Sequence, residues 1–137
     1  MVKQADTEIR FQLRHTMIPV KDMARSVDFY CRIFGMKVLR ERAADANGRA
    51  ISYVGYGSED SNTVLELIAG TGQPASPWGG HIAIYVSDLE TLCDRLRADG
   101  AQFSTPLTKF ESGNRRSTVN VYDPDGIELE LSEPRLS

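Results

Sequence analysis

The sequence predicts an α+β fold built from two tandem βαβββ units, and three observations predict it. A strand opening on His, closing on Asp and running into a helix that stops at Gly occurs twice, from His15 and from His81. Each copy is followed by short runs of alternating or apolar residues of strand length. The last run of each copy carries a Glu at nearly the same remove from the opening His: 51 positions separate His15 from Glu66, and 49 separate His81 from Glu130.

In chain order, the first ~10 residues read as a loose extension, residues 1–12 preceding the domain. HTMIPVKDM is an apolar-rich strand ending at Asp22, and MARSVDFYCRIFG places Met23, Val27, Tyr30, Cys31 and Phe34 at helical spacing. Asp22 stands where an N-cap accepts a backbone N–H, and Gly35 where a left-handed C-terminal cap is needed. Strands are expected over Met36 to Arg42, Ala50 to Tyr56 and Thr63 to Ile68, with DANG at 45–48 as the turn between the first two. GTGQPASPWGG, residues 70–80, is rich in Gly, Pro and Ser and reads as a linker.

The second copy repeats the plan. HIAIYVSDL is a strand ending at Asp88, and LETLCDRLRADG is a helix with Leu89, Leu92, Cys93 and Leu96 on one side and Gly100 as its stop. Strands follow over Ala101 to Ser104, Ser117 to Tyr122 and Ile127 to Leu131, the last two joined by a DPDG turn at 123–126. The expected organisation is one domain, 13–134, of two units (13–70 and 79–133) joined by the linker 70–80.

Composition narrows the function classes. A chain of 137 residues with 41% hydrophobic and 26% charged residues has the size and balance of one globular domain. Its net charge of -3, with Lys and Arg scattered, argues against nucleic acid as a partner. The absence of an apolar run near the ~20 residues that cross a bilayer, and of a signal-like stretch in MVKQADTEIR, makes no membrane and a cytoplasmic address the expectation. The two cysteines, Cys31 and Cys93, lie in the two helices and are expected to be reduced and buried.

His15 and His81 are the only histidines, and each opens its unit while Glu66 or Glu130 lies in its last strand. If the units are related by a rough two-fold, these four side chains converge. Two imidazoles and two carboxylates make a mixed nitrogen and oxygen shell suited to Ni, Co, Zn, Mn or Fe(II). Either His alone would more often be structural. Alternation puts Glu66 on a face with Val64 and Ile68, where a carboxylate is costly unless paired or metal-bound. Glu130 shares its face with Glu128 and Ser132, so Glu128 competes with it as a ligand.

HTMIPVKDMARSVDFYCRIFGMKVL, the VLELI strand, GGHIAIYVSDL and DPDGIELEL together resemble the vicinal oxygen chelate superfamily, and within it the glyoxalase I (lactoylglutathione lyase) branch, over residues 13 to 133. DPDG with a Glu four positions on is shared across that superfamily; HTM, FYxxxxGMK, VGYG and the Glu of LELI are more specific to the branch. The resemblance implies a curved mixed sheet around one divalent metal (Ni, Co or Zn), held by His15, Glu66, His81 and Glu130. It also implies a homodimer in which one subunit's first unit meets the other's second. The implied substrate is the hemithioacetal of methylglyoxal or a related 2-oxoaldehyde with a thiol, isomerised through an enediolate to the 2-hydroxyacyl thioester. Glu130 would shuttle the proton, with Glu66 as its catalytic counterpart.

The ligand set suits that chemistry, since a divalent cation on two adjacent oxygens acidifies the intervening C–H, and a nearby carboxylate can act as base. The resemblance breaks at the residues that hold glutathione: Pro19 stands where the family commonly has Arg, and Gly70 where it has Asn. The loop KFESGNRRS at 109–117 replaces a Lys-Gly-Gly type segment; Lys109, Arg115 or Arg116 could clamp a carboxylate there, or be solvated charges. Trp78 could line a pocket or pack on the core. Other functions on this scaffold are an extradiol-type dioxygenase, an epimerase, a resistance thiol transferase, or a binding protein like the bleomycin-sequestering relatives. The second carboxylate argues against the dioxygenase, and retention of all four donors against the binding protein.

Overall fold

The computed structural model of the chain describes residues 9–74, 80–109 and 117–134. The chain divides into two compact units, Met1–Gln73 and Pro74–Ser137.

The first unit contains β1 (His15–Val20), helix α1 (Met23–Asp28), β2 (Lys37–Arg42), β3 (Ala50–Gly55) and β4 (Val64–Ala69). Its sheet has the order β1-β4-β3-β2, with β1 parallel to β4 and the other pairs antiparallel. Asp22 caps α1 by accepting the Arg25 N–H at 3.0 Å. The expected single helix is a composite: after Asp28 it widens into a π-helical turn, Phe29–Ile33. The wider turn brings Phe29, Tyr30 and Ile33 inward together, so these join Ser26 as its buried side. The rings of Phe29, Tyr30 and Phe34 then pack 5.3 to 6.2 Å apart. Gly35 follows at φ 69, the left-handed conformation expected of its cap.

Ile18, Val20, Val54, Leu65 and Leu67 are buried on the same side of the sheet, and α1 contacts β3 and β4. Each such side chain contributes about 1.5–3 kcal/mol relative to exposure. The opposite face of this sheet carries His15, Met17 and Pro19 on β1, in register with Val64, Glu66 and Ile68 on β4. That face therefore carries both His15 and Glu66.

The second unit contains β5 (His81–Tyr85), helix α2 (Leu89–Ala98), β6 (Thr118–Tyr122) and β7 (Glu128–Ser132), with sheet order β5-β7-β6. Asp88 caps α2 by accepting from Thr91 N–H, and Leu89, Leu92, Cys93 and Leu96 are its buried residues. Val119, Val121, Leu129 and Leu131 are buried on one face of the sheet. The expected strand at Ala101 to Ser104 is reduced to a single bridge, Phe103 to Val121, and a second bridge joins Thr108 to Thr118. The half-buried Phe103 and Ser104 are held beside β6 by this bridge, the Ser104 N–H bond to the Asn120 carbonyl and the Tyr122 N–H bond to the Gln102 carbonyl, each 2.9 Å, not by a full ladder. The mixed strands thus form two sheets, one in each unit, as the two βαβββ units require.

Both cysteines are free; Cys93 is buried, whereas Cys31 is only partly so, because the π-helical turn rotates it toward the helix flank. Burial raises both thiols above their ordinary values, which keeps them protonated and unreactive. No helix among the described residues is long and apolar enough to cross a membrane.

Candidate metal centre

Parallel pairing sets the first donor pair. His15 opens β1 opposite Val64, so its imidazole shares a face with Glu66, one pleat further along β4. His15 Nε2 lies 3.7 Å from Glu66 Oε2. The Glu66 side chain is only 13% exposed, among the apolar neighbours that alternation predicts. Its carboxylate is paired: Tyr53, opposite Glu66 on β3, donates its hydroxyl to the same Oε2. That bond, reinforced by burial, raises the Tyr53 phenol above its usual value and keeps it a donor at neutral pH. The Tyr53 ring also makes a T-shaped contact with the His15 imidazole, with centroids 5.8 Å apart at 71°. His15 Nδ1 is buried with no hydrogen-bond partner among the described residues.

Beyond Tyr53 lies a charged cluster. The Arg40 guanidinium sits 3.7 Å from the Tyr53 ring centroid and donates to Glu59 Oε1 at 2.9 Å. Arg14 donates to the same oxygen at 2.6 Å. Arg14 first and Arg40 next hold the Glu59 carboxyl below the usual carboxylate range.

The second donor pair repeats the arrangement. His81 opens β5 opposite Glu128, and Glu130 is again one pleat along the neighbouring strand. His81 Nε2 lies 3.2 Å from Glu130 Oε2. Glu128 is taken up elsewhere, accepting the Ser104 hydroxyl at 2.7 Å. Asn120 faces Glu130 where Tyr53 faces Glu66, and the Glu130 side chain is 40% exposed.

Two donors bound about 2.1 Å from one cation lie about 3.0 Å apart at a right angle and about 3.4 Å apart at a tetrahedral one. The His81–Glu130 pair falls within that span at 3.2 Å, and the His15–Glu66 pair, at 3.7 Å, lies just outside it. Each pair could therefore hold part of a divalent cation's shell. Among the described residues no three His, Cys, Asp or Glu side chains gather as a metal-holding group. Of the expected substrate residues, Lys109 is 2.9 Å from Glu90 on α2. Arg115, Arg116 and Trp78 lie outside the described residues. Pro19 pairs with Ile68 on the His15 face. Gly70 has φ +81, and a Cβ there would fall 2.2 Å from the Gly48 carbonyl oxygen, so no Asn could replace it without moving backbone.

Comparisons with known proteins agree with this architecture. Residues 12–131 match the model of the Glyoxalase/Bleomycin resistance protein/Dioxygenase superfamily. A probable lactoylglutathione lyase of Synechocystis sp. is 37% identical over 124 residues, covering 87% of this chain and 92% of the relative. The lactoylglutathione lyase of Escherichia coli O157:H7 is 34% identical over 129 residues, covering 90% and 93%. Among solved structures, the trypanothione-dependent glyoxalase I of Leishmania major is similar at TM-score 0.74 and 35% identity, covering 90% of this chain and 87% of that one. Glyoxalase I from Zea mays is similar at TM-score 0.77 and 25% identity, covering 92% of this chain and 46% of that one.

Proposed function

The chain belongs to the Glyoxalase/Bleomycin resistance protein/Dioxygenase superfamily, and from that premise we propose that it is a divalent-metal-dependent lyase of the glyoxalase I kind. Its substrate is the hemithioacetal of methylglyoxal or a related 2-oxoaldehyde with a thiol, and its product the 2-hydroxyacyl thioester. The observation that carries this reading is the pairing of each His Nε2 with a Glu Oε2, at 3.7 and 3.2 Å, at equivalent places in the two units. The ligands of the cation are His15, Glu66, His81 and Glu130, and Ni, Co or Zn suits that set. When bound, such a cation supplies Lewis-acid stabilisation of negative charge on the substrate's two adjacent oxygens.

The chain's own residues do the rest. Glu130, the more exposed and less tethered carboxylate, takes the proton from the carbon bearing sulfur and returns it to the neighbouring carbonyl carbon, while the hydroxyl proton passes to the former carbonyl oxygen, with no net redox change. Glu66, held by Tyr53, keeps its place while this happens. Each complete site is shared between two copies of the chain, one contributing its first unit and the other its second. The chain's match to less than half of the maize polypeptide supports that arrangement. The proposed address is cytoplasmic.

Pro19 and Gly70 make glutathione itself the open variable, because neither provides a side-chain polar contact and Gly70 is fixed by its backbone. The test is to load the full chain with Ni, Co or Zn and follow isomerisation of methylglyoxal hemithioacetals made with glutathione and with cysteamine, which lacks glutathione's carboxylates. Turnover of either adduct supports the lyase; turnover of neither by cation-loaded protein overturns it. A higher kcat/KM with cysteamine identifies a thiol other than glutathione.

A further inference from the structure

The two donor pairs are held differently. A metal-bound imidazole ordinarily donates its second ring N–H to an outer partner, and a metal-bound carboxylate is itself hydrogen-bonded. His15 Nδ1 is buried with no such partner among the described residues. What meets the His15 ring is the ring of Tyr53, in a T-shaped contact, and what meets the Glu66 carboxylate is the hydroxyl of the same Tyr53. The corresponding place in the second unit holds Asn120, opposite a Glu130 whose side-chain partner among the described residues is His81.

We infer that Tyr53 is a positioning residue for the cation site, one side chain fixing both donors of the first unit. The inference rests on the proposed metal centre. Tyr53 is suited to this because it is itself braced. It is buried, its position is set by the β3–β4 ladder, and the Arg40 guanidinium lies over its ring. Arg40 is anchored in turn on Glu59, which Arg14 also grips. The order of support runs from Glu59 through Arg40 and Tyr53 to Glu66 and His15. A ligand pair held this way is preorganised before any cation arrives, so less ordering remains to be done on binding.

Removing only the hydroxyl isolates the effect, since Tyr53→Phe keeps the ring that Arg40 and His15 touch. Tyr56→Phe is the matched control: Tyr56 donates to the Phe34 carbonyl at 2.8 Å and does not touch the donors. The experiment titrates Co(II) into the full chain, wild type and both variants, against a chromophoric chelator, and records the visible absorption of the Co(II) protein. Circular dichroism reports whether each variant is folded. Tyr53→Phe should bind Co(II) about ten- to a hundredfold more weakly, with an altered visible spectrum, while Tyr56→Phe keeps wild-type affinity and spectrum. Wild-type affinity and spectrum in Tyr53→Phe overturn this inference and leave the metal centre standing. Equal weakening in both variants also overturns it, by showing a general loss of packing. A wild-type chain that binds no Co(II) overturns the metal centre and this inference together.

Discussion

Replacing Glu130 by Gln is expected to lower turnover by about 10²–10⁴-fold while the protein still takes up its cation. The amide keeps an oxygen donor in nearly the same place but has no basic site for a carbon-bound proton. The second unit leaves room for an effect of this kind. Glu130 is 40% exposed, its neighbour across one strand is the small Ala83, and its nearest side-chain partner is His81 at 3.2 Å. Nothing in that surrounding demands a charge for folding, so the variant should unfold at the wild-type temperature. Cation content by elemental analysis and kcat by a thioester absorbance assay separate the two roles. A fully active Glu130→Gln protein would place the base elsewhere.

The second large effect concerns affinity. His81→Ala removes a donor outright, and should weaken cation binding beyond the ~10–100-fold that follows loss of an outer partner. The readout is linked to stability, since a ligand at a hundredfold excess over its Kd stabilises the folded state by about 2.7 kcal/mol. For a domain of this size that corresponds to an upward thermal shift on the order of 10 °C. Wild-type protein should show that shift with Ni, Co or Zn, and His81→Ala should show little of it at the same cation concentration. His81 lies at the exposed start of β5, so apo stability should be unchanged. Equal shifts in the two proteins would remove His81 from the ligand set.

What sequence made legible, and what it hid, follows from how each contact is specified. The caps were readable because an Asp before and a Gly after an amphipathic run are local signals, and Asp22, Asp88, Gly35 and Gly100 act as such. The faces of Glu66 and Glu130 followed from the period of two along a strand. Across the tight DPDG turn even cross-strand register can be counted, which puts Asn120 opposite Glu130. Tyr53 was hidden for the opposite reason: β3 and β4 are joined by residues 56–63, too long a connection to fix register, so its meeting with Glu66 could not be counted. Arg40 was hidden further by the register shift between Val38 and Arg40, which carries it over the Tyr53 ring. The π-helical turn carried no signal of its own, because the apolar spacing from Met23 to Phe34 is equally that of a regular helix. Gly70 read as a missing Asn; its positive φ and its approach to Gly48 add that the backbone itself excludes that side chain.

The central claim is that His15, Glu66, His81 and Glu130 together bind one divalent cation. X-ray absorption at the metal edge of the Co- or Zn-loaded full chain tests it most directly. The account predicts a shell of two imidazoles with the remaining donors oxygen, reduced to one imidazole in His81→Ala. A shell containing sulfur from Cys31 or Cys93, or one holding no imidazole, would contradict it.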